Sequence, residues 1–114
     1  MKLDRVRGHL ELLLLSVLSD GPGHGYALLA ALRDRSDGAL DFTEGAVYPA
    51  LHRLEDLALI DSDWQQVLGR RRRVYRITPA GTKALAAQRS DWRALVDAVD
   101  AVLRPVQLRT AVAR

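Results

Sequence analysis

Apolar residues recur at helical spacing in three segments of the first half of the chain. His9 to Ser19 is apolar on nearly all sides, which predicts a helix that other elements must cover. Tyr26 to Arg35 predicts a second helix, and two glycines and a proline separate it from the first. A third helix is predicted from about Thr43, as N-cap, to about Leu57, although Pro49 lies within it.

The second half of the chain begins with extended segments. Ile60 to Leu68 and Arg71 to Ile77 predict two antiparallel strands, with Gly69 and Arg70 as the turn between them. Such a hairpin is marginal by itself, so we expect it to pack on the helices. Thr78 and Pro79 then predict the start of a helix, as N-cap and first helical residue, that continues to about Leu103.

Three helices, a hairpin and a long helix are the order of a winged helix-turn-helix. The predicted fold is therefore mainly α. We expect residues 1–78 to form a DNA-binding domain of three helices and a two-stranded β-hairpin wing. Residues 79–114 are expected to form a C-terminal dimerisation helix with a short tail.

The last predicted helix has an apolar stripe with a seven-residue period. Leu85, Trp92 and Val99 form one series, and a second series contains Leu95, Val102 and the polar Gln88. A helix with this stripe, longer than a small domain needs, favours packing against a second helix. A chain of 114 residues can bury only a modest core, so a second copy would add buried surface. We predict a homodimer.

Positive charge is concentrated in one short segment. The chain carries a formal charge of +3, and residues 70–76 alone carry +5, so the remainder sums to 3 − 5 = −2. Arginine forks bridge pairs of phosphate oxygens, and this cluster adjoins a helix-turn-helix pattern. We therefore expect Arg70, Arg71, Arg72 and Arg73 to flank a DNA groove, although a lone arginine run is more often a solvated strand.

Other classes of function lack the residues they need. The chain has no cysteine, which excludes disulfides, thiolate chemistry and cysteine zinc sites. No nucleophile–base arrangement, phosphate loop or metal cluster is apparent, so we predict neither an enzyme nor a cofactor or metal. The absence of a long apolar segment or signal-peptide pattern predicts a cytoplasmic protein.

The third helix is the predicted recognition helix, because such helices enter the major groove with their N-terminal part. Its small residues would let the backbone approach DNA, and its hydroxyl groups and arginine could contact phosphates. Glu44 either accepts a hydrogen bond from a cytosine amino group or only favours the helix start. The predicted contacts from this helix are Thr43, Glu44, Gly45, Ala46, Tyr48, His52 and Arg53.

Three motifs together resemble the PadR transcriptional regulators. They are Gly25-Tyr26, the segment Gly45 to Glu55 (GAVYPALHRLE) and the segment Gly69 to Gly81 (GRRRRVYRITPAG). The single long last helix is similar to the short PadR subgroup. This resemblance implies a winged-helix homodimer that binds palindromic operator DNA, usually as a repressor. One departure is Ala58, where the family usually has a glycine that permits a left-handed helix end.

The resemblance also implies how the subunits pair and what they bind. The last helix would pack on the first helix of the partner, which gives an interface of Leu13, Leu85, Trp92, Leu95, Val99 and Val102. Some short members bind a planar aromatic effector between their last helices, stacked on a tryptophan at the position of Trp92. Leu12, Ser16 and Val96 would line that site. Trp92 can equally be interface core, and both roles are compatible.

Two alternatives are compatible with the same fold. One is a protein-interaction adaptor that has a winged helix but does not bind DNA, which the arginine-rich hairpin argues against. The other is a regulator of a different winged-helix group such as the MarR type, which Tyr48-Pro49 and the single long last helix argue against.

Overall fold

The computed structural model describes residues 7–106, and the tail predicted beyond residue 106 lies outside them. After a short 3-10 turn, Arg7–His9, the chain forms three helices with a very short strand between the first two. A hairpin and a long helix follow. The elements are α1 (Leu10–Leu18), β1 (Gly23–His24), α2 (Gly25–Arg35), α3 (Glu44–Asp56), β2 (Ile60–Val67), β3 (Arg70–Ile77) and α4 (Pro79–Leu103). The predicted fold class, order and most boundaries are confirmed.

The core surrounds α1, which is covered by α2, α3, β3 and α4. α1 is apolar on nearly all sides because neighbours pack against it from several directions. α3 contributes four buried residues at helical spacing, and the core also includes a phenylalanine before α3 and one tyrosine from β3. Its members are Leu10, Leu14, Leu15, Leu18, Leu28, Leu32, Phe42, Val47, Ala50, Leu51, Leu54, Ile60, Tyr75 and Leu85.

The sheet has three antiparallel strands in the order β1-β3-β2, and not the two that the sequence predicted. Gly23 pairs with Tyr75 and His24 with Val74, so β1 covers the second edge of β3. A strand of two residues is too short to show an alternating pattern, so only the tertiary structure identifies it.

The turn of the hairpin also differs from its predicted position. Leu68 and Gly69 form it, with φ of 54° and 77°, and Arg70 already pairs with Val67 in the ladder. Two consecutive left-handed residues match the twist of the flanking strands, which is why such two-residue turns are favoured. Leu68 takes the place that we had assigned to Arg70, and all four consecutive arginines belong to β3.

The end of α3 is closed by a hydrogen-bonded turn that usually contains a glycine. In this chain the residue at that position is Ala58. The Ala58 and Leu59 amides donate to the carbonyls of Glu55 and Leu54, at 2.9 and 3.0 Å. These two bonds define a Schellman motif, which needs a left-handed residue. Ala58 adopts it with φ of 59°. The alanine therefore leaves the turn geometry unchanged and adds local strain.

α4 begins as predicted and then leaves the core. The Thr78 hydroxyl accepts from the Gly81 amide at 3.1 Å, and Pro79 occupies the first turn. The 25 residues of α4 correspond to a length of about 37 Å. Leu85 lies in the core, and nearly all of α4 after residue 88 is exposed, with residue 96 partly so. None of the helices between residues 7 and 106 is long and apolar enough to cross a membrane.

Candidate nucleic-acid interface

The outer face of α3 carries nearly all of the predicted recognition residues. Its inner face is fixed in the core by Val47, Leu51 and their neighbours. Because apolar residues at helical spacing occupy the inner face, the remaining positions face outward. Thr43, Glu44, Gly45, Tyr48, His52 and Arg53 are exposed. Ala46 is the exception, since it packs partly against the core and presents less surface than predicted.

Pro49 lies inside α3 without ending it. The proline cannot donate the hydrogen bond that the Gly45 carbonyl would otherwise accept in the helix. Both residues are exposed, so water can bond that carbonyl. Thr43 occupies the N-cap position as predicted, but its side chain makes no capping hydrogen bond. Its hydroxyl therefore has no role in closing the helix end.

Tyr48 connects α3 to the start of α2. A Cβ added to Gly25 would lie 2.5 Å from the Tyr48 hydroxyl oxygen and 2.6 Å from the adjoining ring carbon. The tyrosine therefore occupies the space that a side chain at the first residue of α2 would need. The next residue, Tyr26, has 60% of its surface exposed. Two tyrosines thus flank the N-terminus of α2, the end that attracts anions.

The arginines of the wing differ in how they are paired. Arg76 donates to the carboxylates of Asp61 and Asp63, at 3.1 Å each, and these bonds raise its pKa further. Arg73 lies 3.6 Å from a Glu55 carboxylate oxygen and donates to Ser62 at 2.7 Å. Within residues 7–106, Arg70, Arg71 and Arg72 form no ion pair.

Two of the arginines without an ion pair, Arg71 and Arg72, meet the recognition helix at one cleft. This cleft, of about 300 Å³, is lined by His24 and Gly25 from the α2 start, Tyr48 from α3, and Trp64, Arg71, Arg72, Arg73 and Tyr75 from the wing. Arg72, one of these lining residues, has a buried Nε atom without a hydrogen-bond partner among the described residues. Arginine N–H groups and a helix N-terminus both favour an anion.

His24 forms one wall of this cleft and caps α2. Its Nδ1 accepts a hydrogen bond from the Ala27 amide at 3.2 Å, so that nitrogen carries no proton. Burial lowers the pKa of His24, and the nearby charge of Arg72 lowers it further. Burial likewise raises the pKa of Tyr75, which keeps its phenol neutral. The cleft's positive charge therefore comes from its arginines.

Arg53, a predicted phosphate contact, has an acidic partner in this structure. Its Nε donates to the Glu11 carboxylate of α1, and both side chains remain partly exposed. The pair joins the recognition helix to α1. An exposed pair of this kind contributes little stability, so Arg53 can exchange Glu11 for a phosphate at small cost.

The predicted effector residues are only partly brought together. Leu12, Ser16 and Trp92 line a groove of about 530 Å³ between α1 and α4, whereas Val96 is not among its lining residues. His9 meets the Trp92 ring edge-on, with centroids 4.7 Å apart. A second groove of about 340 Å³ shares Leu12 and Trp92. No three His, Asp or Glu side chains between residues 7 and 106 are placed to hold a metal ion.

The apolar stripe of α4 is exposed beyond its first turns. Trp92 is 43% exposed, Leu95 48%, Val99 44% and Val102 84%. Leu85, which we had predicted to be at a dimer interface, is buried in the subunit's own core and cannot contact a partner. The first turns of α4 must complete the core, so the part available for pairing starts later than the periodicity indicated. Leu13 is partly buried against the core.

The fold and the cleft define a winged-helix regulator. Residues 14–87 match the family described as the transcriptional regulator PadR-like family. The chain belongs to this family and is a transcriptional regulator, not an enzyme. It is 40% identical over 97 residues to the transcriptional regulator Rv3488 of Mycobacterium tuberculosis, covering 85% of each chain.

Solved structures show the same architecture. A transcriptional regulator from Clostridium thermocellum superposes with a TM-score of 0.83 at 28% identity, covering 91% of this chain and 99% of that one. A PadR family transcriptional regulator from Eggerthella lenta superposes with a TM-score of 0.79 at 33% identity, covering 91% and 89%. Both alignments extend over most of this chain.

Several residues at this surface were not predicted from the sequence to have a role there. Trp64 lies among polar residues in β2, and the strand pattern alone indicated no role for it. Its position opposite Arg73 requires the strand register. Glu11 and Glu55 reach Arg53 and Arg73 only through tertiary packing. The only signal in the sequence was the presence of a tryptophan in a polar strand; no pattern indicated the two ion pairs.

Proposed function

We propose that this regulator binds the operator DNA of its target genes as a homodimer and represses them. The observation that carries the proposal is the cleft between α3 and the wing, where Tyr48 and Arg71–Arg73 converge. The N-terminal part of α3 enters the major groove, and the wing arginines contact the adjoining phosphates. We expect such a regulator to act in the cytoplasm. Residues 1–78 form the DNA-binding unit.

The exposed stripe on α4 supports the homodimer. Trp92, Leu95, Val99 and Val102 form a continuous apolar surface that would remain in water in a single subunit. Packing α4 against α1 and α4 of a second copy buries that surface. Leu13 on α1, which is partly buried already, would be covered by the same contact. Within the C-terminal segment of residues 79–114, the dimer contact is therefore formed by the part of α4 from Trp92 onward. Two-fold symmetry then presents two recognition helices to the halves of a palindromic site.

The arginine contacts are tested by a salt series on duplex DNA. The apparent association constant falls with salt in proportion to the phosphates that the protein neutralises, by about 0.9 in logarithmic slope for each. Replacing Arg70, Arg71 and Arg72 with glutamine should reduce the slope by up to about 2.7 per subunit.

The matched control is Arg76→Gln, because Asp61 and Asp63 already neutralise this arginine. We expect its slope to remain within about 0.5 of the original. An unchanged slope in the triple variant would refute the wing contacts. No binding to any duplex at low salt would instead favour a protein-interaction adaptor.

Repression is tested by selecting genomic fragments that the protein retains at moderate salt, with its own upstream region among them. A reporter gene placed behind a selected fragment should be less active when the protein is present. Higher reporter activity would indicate an activator.

We also propose that the regulator binds a planar aromatic effector. The groove lined by Leu12, Ser16 and Trp92 is apolar and large enough for a flat ring system. A planar dye such as Hoechst should quench the fluorescence of Trp92 at micromolar concentration. Trp92→Phe should abolish the quenching, whereas persistence would show that Trp64 is the reporter.

A further inference from the structure

The two faces of the hairpin carry different chemistry. Directly opposed residues of β2 and β3 share a face, so the register assigns every side chain. On the outer face, the strand residues Asp61 and Asp63 lie beside Arg76 and offset its positive charge. The face toward α3 has no carboxylate of its own strands, and its members are Ile60, Ser62, Trp64, Gln66, Arg71, Arg73, Tyr75 and Ile77.

Trp64 is close to both arginines of that α3-facing side. The guanidinium carbon of Arg71 is 5.1 Å from the centroid of the indole, and that of Arg73 is 5.6 Å away. Both distances fall within the range of cation–π attraction. One indole therefore attracts both guanidinium groups. This attraction opposes their mutual repulsion and restricts their rotamers.

The exposure of Trp64 needs an explanation that core packing does not provide. The side chain is 54% exposed, it lies outside the core, and it lines the cleft that also contains Tyr48. Arg73 is held additionally by Ser62 and Glu55. No ion pair holds Arg71 within the described part of the chain, so Trp64 is the group that orients it.

We propose that Trp64 is a positioning residue for DNA, which holds the guanidinium groups of Arg71 and Arg73 toward the cleft so that they meet adjacent phosphates. This inference rests on the proposed function. Long arginine side chains lose rotamer freedom when they bind, and stacking on an indole removes part of that freedom beforehand. The indole thereby increases the affinity gained from each arginine.

The test is a double-mutant cycle on the full-length protein with a random-sequence duplex. Trp64→Leu should weaken binding about three- to tenfold and lower the logarithmic salt slope by about 1. Arg71→Gln should weaken binding clearly in the original protein and only slightly in Trp64→Leu. Trp64→Phe, which keeps an aromatic face, should restore most of the affinity.

Thermal unfolding distinguishes positioning from a structural role. Because Trp64 is half exposed, we expect Trp64→Leu to unfold within a few degrees of the original protein. Additive effects of Trp64→Leu and Arg71→Gln, or a loss of affinity with an unchanged salt slope, would overturn the inference while the proposed function stands. Failure of the original protein to bind any duplex at low salt would overturn both.

Discussion

Gly81 gives the sharpest test of how α4 is attached to the winged domain. A Cβ added there would lie 2.0 Å from the Leu59 carbonyl oxygen and 2.7 Å from Cγ1 of Ile77. The carbonyl belongs to the backbone and accepts a hydrogen bond from the Thr78 amide at 3.1 Å, so it cannot move without breaking that bond. Gly81→Ala must therefore shift the start of α4.

The magnitude follows from three contributions. Overpacking costs about 1–3 kcal/mol, and weakening the Thr78 hydrogen bond costs about 1 kcal/mol. The higher helix propensity of alanine returns up to about 1 kcal/mol. The free energy of unfolding should therefore fall by about 1–3 kcal/mol, which lowers the melting temperature by about 4–12 °C in a chain of this size.

The assay is thermal unfolding followed by circular dichroism at one protein concentration, because dimerisation would make the midpoint depend on concentration. Gly25→Ala is the matched control. Its added Cβ would also come within 2.5 Å of an atom, but that atom is the hydroxyl oxygen of the partly exposed Tyr48, which can swing outward. This variant should lose much less stability and instead bind DNA more weakly. Equal stability of Gly81→Ala and the original protein would refute the close packing of α4 on Leu59.

Three further predictions concern other sites. Ala58→Gly should raise the free energy of unfolding by about 0.5–1 kcal/mol, because glycine adopts a left-handed φ without strain, although it makes the unfolded chain more flexible. An unchanged free energy of unfolding in urea denaturation would contradict strain at Ala58. Neutral His24 stabilises the fold fully above its unfolded pKa of about 6.5, and this contribution should decrease as the pH falls toward its lower folded pKa. His24→Asn keeps an acceptor and should remove that pH dependence from the melting temperature. Glu11→Gln should free Arg53 and strengthen DNA binding in a low-salt titration, whereas weaker binding would argue against Arg53 as a phosphate contact.

The predictions from sequence succeeded where one local rule decides the outcome. Thr78 and Pro79 predicted the start of α4 because capping and the fixed φ of proline act within a single turn. The turn of the hairpin was misplaced by one residue because Leu68 adopts a left-handed conformation that leucine seldom takes. There the strand pairing on both sides decides the conformation.

The candidate site shows the same division. The outer face of α3 followed from the helical spacing of its apolar residues, and the arginine cluster was visible directly. The sequence did not show which charges remain unpaired. Arg76 and Arg73 meet carboxylates only because the register and the packing of the wing on α3 bring Asp61, Asp63 and Glu55 to them.

The amino-acid sequence by itself determined the family, the order of the helices and hairpin, and the segment that carries the positive charge. These features depend on periodicity, capping and composition, which act over a few neighbouring residues. Only the tertiary structure decided that β1 joins the sheet, that Leu85 is in the core, and that Trp64 stacks on two arginines. Each of these depends on contacts between residues distant in the chain or in different strands, whose geometry is fixed by the packing of the whole domain.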